Sequence, residues 1–252
     1  MLLPVYNQAA GLETIAESWL RAFAGLDRAV EVIIVDDGST DESPAALAKL
    51  AARHPEVRVH RHDARRGYGA ALRDGLAAAV HPLIFYSACD YPYPPADIAK
   101  LLAVIDEADL VSGCRTDAVP HWLQRCDAVH RLIARVVFGV APEPRPGWRG
   151  WGPWRQATKL RFLFGLRLWD PMSAYKLFRR SVLDRIPIQS SGEFVHAELL
   201  AKANFLGCLM AEVPIGRLAG NFKGVPEPPL ADNASDARRV FRRPEFAEVQ
   251  KK

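Results

Sequence analysis

Five short apolar runs alternate with helix-forming stretches over the first 115 residues, and few folds accept that order. The runs fall at residues 2–6, 31–35, 57–60, 83–86 and 110–112. Glu31-Val32-Ile33-Ile34-Val35 is rich in β-branched residues without polar alternation, the pattern of a strand buried on both faces. Between the runs, residues 11–25 carry helical spacing at Leu12, Ile15, Trp19 and Phe23, and residues 43–53, an alanine-rich stretch ending near 79, and a segment from Pro94 continue the alternation. Connections this short join parallel strands by right-handed crossovers, which predicts a doubly wound, mostly parallel α/β sheet flanked by helices. Such sheets bind ligands at the carboxyl ends of their strands. Polar clusters stand at three of those ends: Asn7, Asp36 with Asp37, and Asp90.

Beyond residue 115 the pattern changes. Residues 121–140 suit a helix, and residues 145–169 interleave Trp148, Trp151, Trp154, Phe162, Phe164 and Trp169 with six basic residues. Tryptophan with arginine suits a bilayer interface; a flap closing over a ligand is the plainer alternative. Order is expected to return at Asp170, with a helix over 181–186, another over 193–205 and a strand over 210–215. The expected organisation is one domain over 1–219, divergent between 118 and 169, followed by a poorly ordered tail over 220–252.

The net charge of +4 over 252 residues gives no nucleic-acid signature. Cys89, Cys114, Cys126 and Cys208 form no metal-binding or disulfide pattern, which suits a reducing compartment. No stretch reaches the ~18 apolar residues of a membrane span, and Pro4, Asn7 and Gln8 interrupt any signal-peptide core. The expected location is cytoplasmic, peripheral on the inner face of the membrane. His60, His62, His121, His130 and His196 lack metal-ligand spacing and read as ordinary histidines.

One Asp after a strand is a common helix cap. Two adjacent acids in Val35-Asp36-Asp37-Gly38-Ser39-Thr40-Asp41 ask for more. Together with Leu3-Pro4-Val5-Tyr6-Asn7 and Gly67-Tyr68-Gly69-Ala70-Ala71-Leu72, this block resembles the signatures of family-2 glycosyltransferases, in particular the dolichol- or polyprenyl-phosphate sugar transferases. The resemblance runs from Met1 to about residue 215 and implies a GT-A fold, an inverting mechanism, a UDP- or GDP-sugar donor, a lipid-phosphate acceptor at a membrane surface and a divalent cation, Mg²⁺ or Mn²⁺. It implies that Pro4, Tyr6, Asn7 and Asp36 hold the nucleoside and that Asp37 bonds the base. A carboxylate accepting from a ring N–H discriminates between bases as a bare charge cannot. Arg66 and Gly67 would face the diphosphate.

One block departs from the family. The usual Asp-X-Asp after the fourth strand reads Ala88-Cys89-Asp90, leaving Asp90 as the single expected metal ligand and catalytic acid. Loss of the first acid also admits a nucleotide-sugar binding protein with weak catalysis. Asp170-Pro171-Met172-Ser173-Ala174-Tyr175-Lys176 resembles the family's Asp-x-x-Ser-Gly-Phe-Lys. It places Asp170 and Ser173 near the acceptor and Lys176 or Arg179 on phosphate; for Arg179 a basic strand is the plainer reading. Glu198 matches a family acid and flanks the apolar stripe Val195, Leu199, Ala203 and Leu206, either as a general base or acceptor-site carboxylate or as a solvated helix acid. A saccharide or protein hydroxyl as acceptor would need such a base.

Overall fold

A computed structural model of the chain describes residues 1–89, 93–115, 164–166, 168–216 and 230–247. Asp90, the expected helix over 121–140, His121, His130, Cys126, and Trp148, Trp151 and Trp154 lie outside the described residues, and with them most of the segment read as a membrane interface.

The chain begins β1 (Leu2–Val5), α1 (Leu12–Ala24), β2 (Val32–Asp36), α2 (Ser43–Arg53), β3 (Val57–Arg61), α3 (Tyr68–Ala78), β4 (Leu83–Ser87), α4 (Ile98–Val104) and β5 (Leu110–Arg115). These match the expected alternation closely, because each strand is a compact apolar run bounded by turn chemistry. After the segment outside the description come β6 (Tyr175–Arg179), a single turn α5 (Arg180–Leu183), α6 (Val195–Phe205), β7 (Met210–Ile215) and α7 (Leu230–Arg242).

The strands form one sheet in the order β3-β2-β1-β4-β6-β5-β7. All neighbours are parallel except β6, which runs antiparallel to both β4 and β5. The reversed strand has consequences for the site. Tyr175 pairs with Ser87 at the carboxyl edge of the sheet, whereas Arg179 pairs with Leu83 at the opposite edge. Every residue of β2 is buried, but edge strand β3 buries only Val57 and presents Arg58, His60 and Arg61 outward or partly outward, a composition that discourages pairing with another strand. Trp19 of α1 sits in an aromatic group with Phe23, Phe85 and Tyr175, ring centroids 5.2–5.8 Å apart, fastening α1 to the centre of the sheet.

Two expectations are corrected. Helix α6 is not a half-exposed amphipathic helix, since every residue from Val195 to Ala203 is buried. Glu198 and Lys202 can be buried there because they pair with each other at 2.8 Å. The tail expected to be poorly ordered carries helix α7, with Val240 buried against the core.

Candidate functional site

The acid turn lies where β1, β2 and β3 end side by side, with Val5 opposite Asp36 and Asp36 opposite Arg61. The turn is tied to β1 by local polar contacts: Asn7 N–H donates to Ser39 Oγ at 2.9 Å, and Asn7 Oδ1 accepts from Thr40 N–H at 2.9 Å. Gly38 has φ +71°, and a Cβ there would meet the Ala64 carbonyl carbon at 2.5 Å. The turn and the loop after β3 therefore approach as closely as backbone permits. Pro4 is buried within β1 beside Val35, and Tyr6 follows at its exit.

The two acids do different work. Asp37 Oδ1 accepts from Arg66 N–H at 2.8 Å and faces His62 Nδ1 at 2.8 Å, while Oδ2 accepts from Gly67 N–H at 2.7 Å. Both oxygens are thus taken up by protein donors, and Asp37 acts as the hub on which the entry to α3 is hung. Asp36 is fully buried; its Oδ1 accepts from Ser39 N–H at 2.9 Å, whereas Oδ2 has no hydrogen-bond partner and lies 3.4 Å from Arg61 Nε. Of the pair, Asp36 is the one with an oxygen free of hydrogen bonds, a buried oxygen that faces the Arg61 guanidinium.

The two basic residues of the next loop, Arg65 and Arg66, point to different partners. Arg66 turns its guanidinium to Asp74 at 2.7 Å. Arg65 lies over the Tyr6 ring, 4.4 Å from its centroid. Nor do the glycines of this loop form a phosphate cradle. The amides of Arg66 and Gly67 point at Asp37, and Gly69 N–H donates to Ser191 C=O at 2.8 Å. A Cβ on Gly67 would sit 2.2 Å from the Ser191 carbonyl oxygen, and one on Gly69 would sit 2.2 Å from that of Ser190. The glycines are needed for loop-on-loop packing. His62 completes the arrangement: its Nε2 faces Asp74 Oδ2 at 2.9 Å, so one buried ring bridges Asp37 and Asp74.

A second polar group occupies the other half of the same edge, at β5, β6 and β7. Arg115 grips Asp170 through Nε at 2.6 Å, Nη2 at 2.8 Å and its own amide at 3.2 Å. Burial alone would raise the Asp170 carboxyl, but the Arg115 guanidinium holds it below the ordinary carboxylate range. Beneath them Glu212 accepts from the amides of Trp169 and Asp170 at 2.8 and 2.9 Å, and burial pushes it up to about 7. Lys176 is fully buried, donates to Ser173 C=O, and is pulled down to about 7 by burial against the attraction of Asp170. Ser173 is fully buried too, and the neighbouring Ala174 N–H donates to the Tyr93 hydroxyl at 3.2 Å. That contact brings the 170–174 turn beside the residue three positions after Asp90.

The remaining expected residues fall elsewhere. Arg179, at the amino edge of the sheet, donates to the carbonyls of Ala108 and Ile105 at 3.1 and 2.8 Å; antiparallel pairing carries it away from Lys176. Glu198 is fully buried and accepts from Gln189 and Ser190 N–H, both at 2.8 Å, besides Lys202. It braces a loop and is neither a solvated acid nor a free base.

His196, read from the sequence as an ordinary histidine, and Glu193, which sequence reasoning passed over, sit between the halves. His196 stacks on Tyr86 and meets Tyr68 edge-on, with Nδ1 3.1 Å from the Tyr86 hydroxyl and Nε2 3.6 Å from the Glu193 carboxylate. Burial lowers the histidine's proton affinity, which Glu193 opposes. Burial would raise Glu193, yet His196 and the positive charges of Arg115 and Arg65 leave it below the ordinary range. The i,i+3 spacing of Glu193 and His196 on a helix entry was the available signal.

The resemblance implies a divalent cation. Among the described residues no group of three or more His, Cys, Asp or Glu stands together to hold one. At the end of β4 the described residues, Ser87, Ala88 and Cys89, offer no carboxylate, so they do not by themselves fit a hard cation.

Comparison with known proteins agrees with the topology. The chain is 30% identical over 140 residues to the undecaprenyl-phosphate 4-deoxy-4-formamido-L-arabinose transferase of Edwardsiella ictaluri (strain 93-146), a match covering 54% of this chain and 42% of that protein. The chain therefore spans less than half the length of that relative. It is 27% identical over 223 residues to the polyprenol monophosphomannose synthase of Mycolicibacterium smegmatis (strain ATCC 700084 / mc(2)155), covering 85% of this chain and 75% of the relative. Among solved structures it is similar to glucosyl-3-phosphoglycerate synthase from Mycobacterium tuberculosis in complex with Mn²⁺ and UDP-glucose, with a TM-score of 0.61, 23% identity and coverage of 95% of this chain and 74% of the other. That likeness shows the fold, a GT-A arrangement. The model of glycosyl transferase family 2 matches residues 1–186, and the chain belongs to that family.

Proposed function

We propose that the chain transfers one sugar, with inversion, from a UDP- or GDP-sugar to a polyprenyl phosphate presented at the inner membrane surface. The donor nucleotide belongs at the β1–β3 half of the edge. There Asp36 Oδ2 is the acceptor for a base N–H, and the Tyr6–Arg65 pair supplies a ring and a cation. Asp90 is the residue assigned to a divalent cation, which in such a site would neutralise the leaving diphosphate.

The acceptor class follows from the acids. A hydroxyl nucleophile needs a base poised near neutrality, whereas a phosphate oxygen is already anionic. Among the described residues Asp170 and Glu193 are both held below the ordinary carboxylate range, and Glu198 is enclosed by its donors. Glu212 has a raised proton affinity, but each of its oxygens accepts a backbone amide, those of Trp169 and Asp170. None of these four acids is both free of donors and raised toward neutrality, and that observation carries the lipid-phosphate reading. The names of the two relatives, one acting with undecaprenyl phosphate and one with polyprenol, support it. Among the described residues no helix is long and apolar enough to cross a membrane, so the lipid would be met at a surface by residues 145–169.

The test is release of UDP or GDP from a panel of nucleotide sugars, with polyprenyl phosphate in vesicles as acceptor and a soluble saccharide as the alternative. Turnover with the lipid phosphate, abolished in Asp90→Asn, is the expected result. Turnover only with the saccharide would overturn the acceptor. Nucleotide binding without turnover would favour a binding protein, a reading that buried Ala88 in the Asp-X-Asp position keeps in play.

A further inference from the structure

The loop over 187–192 is held from three sides. From below, Glu198 accepts the amides of Gln189 and Ser190. Toward α3, its carbonyls receive Gly69 N–H at 2.8 Å and the Arg73 guanidinium, which donates to Ile188 C=O at 2.9 Å and Ser190 C=O at 3.3 Å. From the C-terminal side, helix α7 supplies Asp236. Its Oδ2 accepts Ser191 and Gly192 N–H at 3.0 and 2.9 Å, and its Oδ1 accepts from Arg239 at 2.6 Å. Arg239 donates also to Gln189 C=O at 2.6 Å, and the Gln189 side chain bonds the backbone of Arg243 and Glu245, both at 3.0 Å.

These contacts form a continuous path. Asp236 fixes the amides of Ser191 and Gly192; the Ser191 carbonyl fixes Gly69 at the start of α3; and the two residues before α3, Arg66 and Gly67, donate to Asp37. Gly67 and Gly69 lack side chains where Ser190 and Ser191 press against them, so no slack separates the two loops. Asp236 is itself buried, which strengthens its charge-assisted bonds to the amides.

We infer that Asp236 is a positioning residue for the nucleotide site, and that docking of α7 and binding of the nucleotide are thermodynamically coupled through the 187–192 loop. The inference rests on the proposed nucleotide site at Asp36 and Asp37. Coupling of this kind is reciprocal: if an ordered α7 favours the nucleotide-binding geometry, a bound nucleotide favours an ordered α7.

The test uses the full chain as wild type, Asp236→Ala and Asp236→Asn, with UDP and GDP as probes. Amide exchange is followed over 66–70, 189–192 and 236–246, and nucleotide affinity by calorimetry. In Asp236→Ala, exchange should quicken at 189–192 and also at 66–70, and affinity for the nucleotide that wild type binds should fall about tenfold. Asp236→Asn, which keeps one acceptor oxygen, should recover most of that loss. In the wild type, nucleotide should slow exchange over 236–246, a measurement that does not depend on any variant folding. Release confined to 189–192, with 66–70 and affinity at wild-type values, would overturn the coupling, as would unchanged exchange over 236–246 on saturation. If wild type binds neither UDP nor GDP, the nucleotide reading falls, while the exchange response at 66–70 still decides whether α7 is coupled to the Asp37 turn.

Discussion

The two halves of the sheet's carboxyl edge solve the problem of buried charge in opposite ways. At β1–β3 the acids are satisfied mainly by backbone amides, Asp36 by Ser39 within its own turn and Asp37 by Arg66 and Gly67 of the next loop, and one Asp36 oxygen is left without a hydrogen bond. At β5–β7 the charges come from distant parts of the chain and largely satisfy one another, with Arg115 on Asp170 and Lys176 close to both Asp170 and Glu212. A turn that donates its amides builds a pocket whose shape depends on glycines and loop contacts. A network of paired side chains builds a rigid floor whose stability depends on every member staying paired.

The largest effect should come from unpairing the floor. Asp170→Ala leaves Arg115 without its partner in a mostly buried place and should lower unfolding stability by about 3–5 kcal/mol. An Arg115→Met/Asp170→Leu double variant should recover much of that, because matched apolar groups need no charge partner. Urea unfolding of the three proteins reads this directly; equal losses in single and double variants would show that the pair is not the source of the effect. Asp37→Ala should come next, at about 2 kcal/mol, since its donors Arg66 and Gly67 lie near water and can be resolvated. It should also remove nucleotide binding, because it releases the entry to α3.

The contrast explains what could be read from the sequence. The five alternating elements, the Asp36-Asp37 turn and the family were legible because their signals are contiguous: apolar runs, turn residues and a block of neighbours. Which of the two acids stays open was not legible, because it depends on where the amides of Arg66 and Gly67 come to lie, some thirty residues along. That Arg66 turns to Asp74 while Arg65 lies over Tyr6 was hidden for the same reason, since one residue of backbone rotation is not encoded in composition. Arg179 was misplaced because the reversal of β6 is a property of topology, and a basic strand looks alike in either direction. Glu198 stood between a base and a solvated helix acid because its i,i+4 spacing to Lys202 is the same for an exposed pair and a buried one. The ordering of α7 was hidden because its anchors, Ser191, Gly192 and Gln189, are some 45 residues away.

Asp36→Asn sharpens the comparison from the pocket side. The amide keeps an acceptor for Ser39 N–H but replaces the oxygen without a hydrogen bond by a donor, so nucleotide affinity should fall about tenfold, or ~1.4 kcal/mol, with a smaller change in stability. The expected pattern against Asp37→Ala is binding lost with the fold kept, against binding lost with the fold weakened. Calorimetry beside thermal unfolding separates them, and equal stability losses in both variants would erase the division of labour between the two acids.

The subtlest prediction concerns the floor's response to pH. Glu212 titrates at about 7 in the folded chain against an ordinary 4.5. Between those values the folded chain holds the proton more tightly, so this group's contribution is complete below about 4.5 and is lost as pH rises through about 7. Lys176 acts in the opposite sense. Its value of about 7 lies below the ordinary 10.5, so the unfolded chain binds the proton more tightly and stability gains as pH climbs from about 7 toward 10.5. Together the two should press a shallow dip into the stability profile near neutrality. Glu212→Gln removes the descending limb, so wild type minus variant should decline between about pH 5 and about pH 7. Urea unfolding at intervals across that range measures the difference, in which titrations elsewhere in the chain largely cancel. A flat difference would mean that Glu212 is already ionised in the folded chain at about pH 5, and that the floor, like the Asp36-Asp37 turn, meets its charge with backbone amides, those of Trp169 and Asp170.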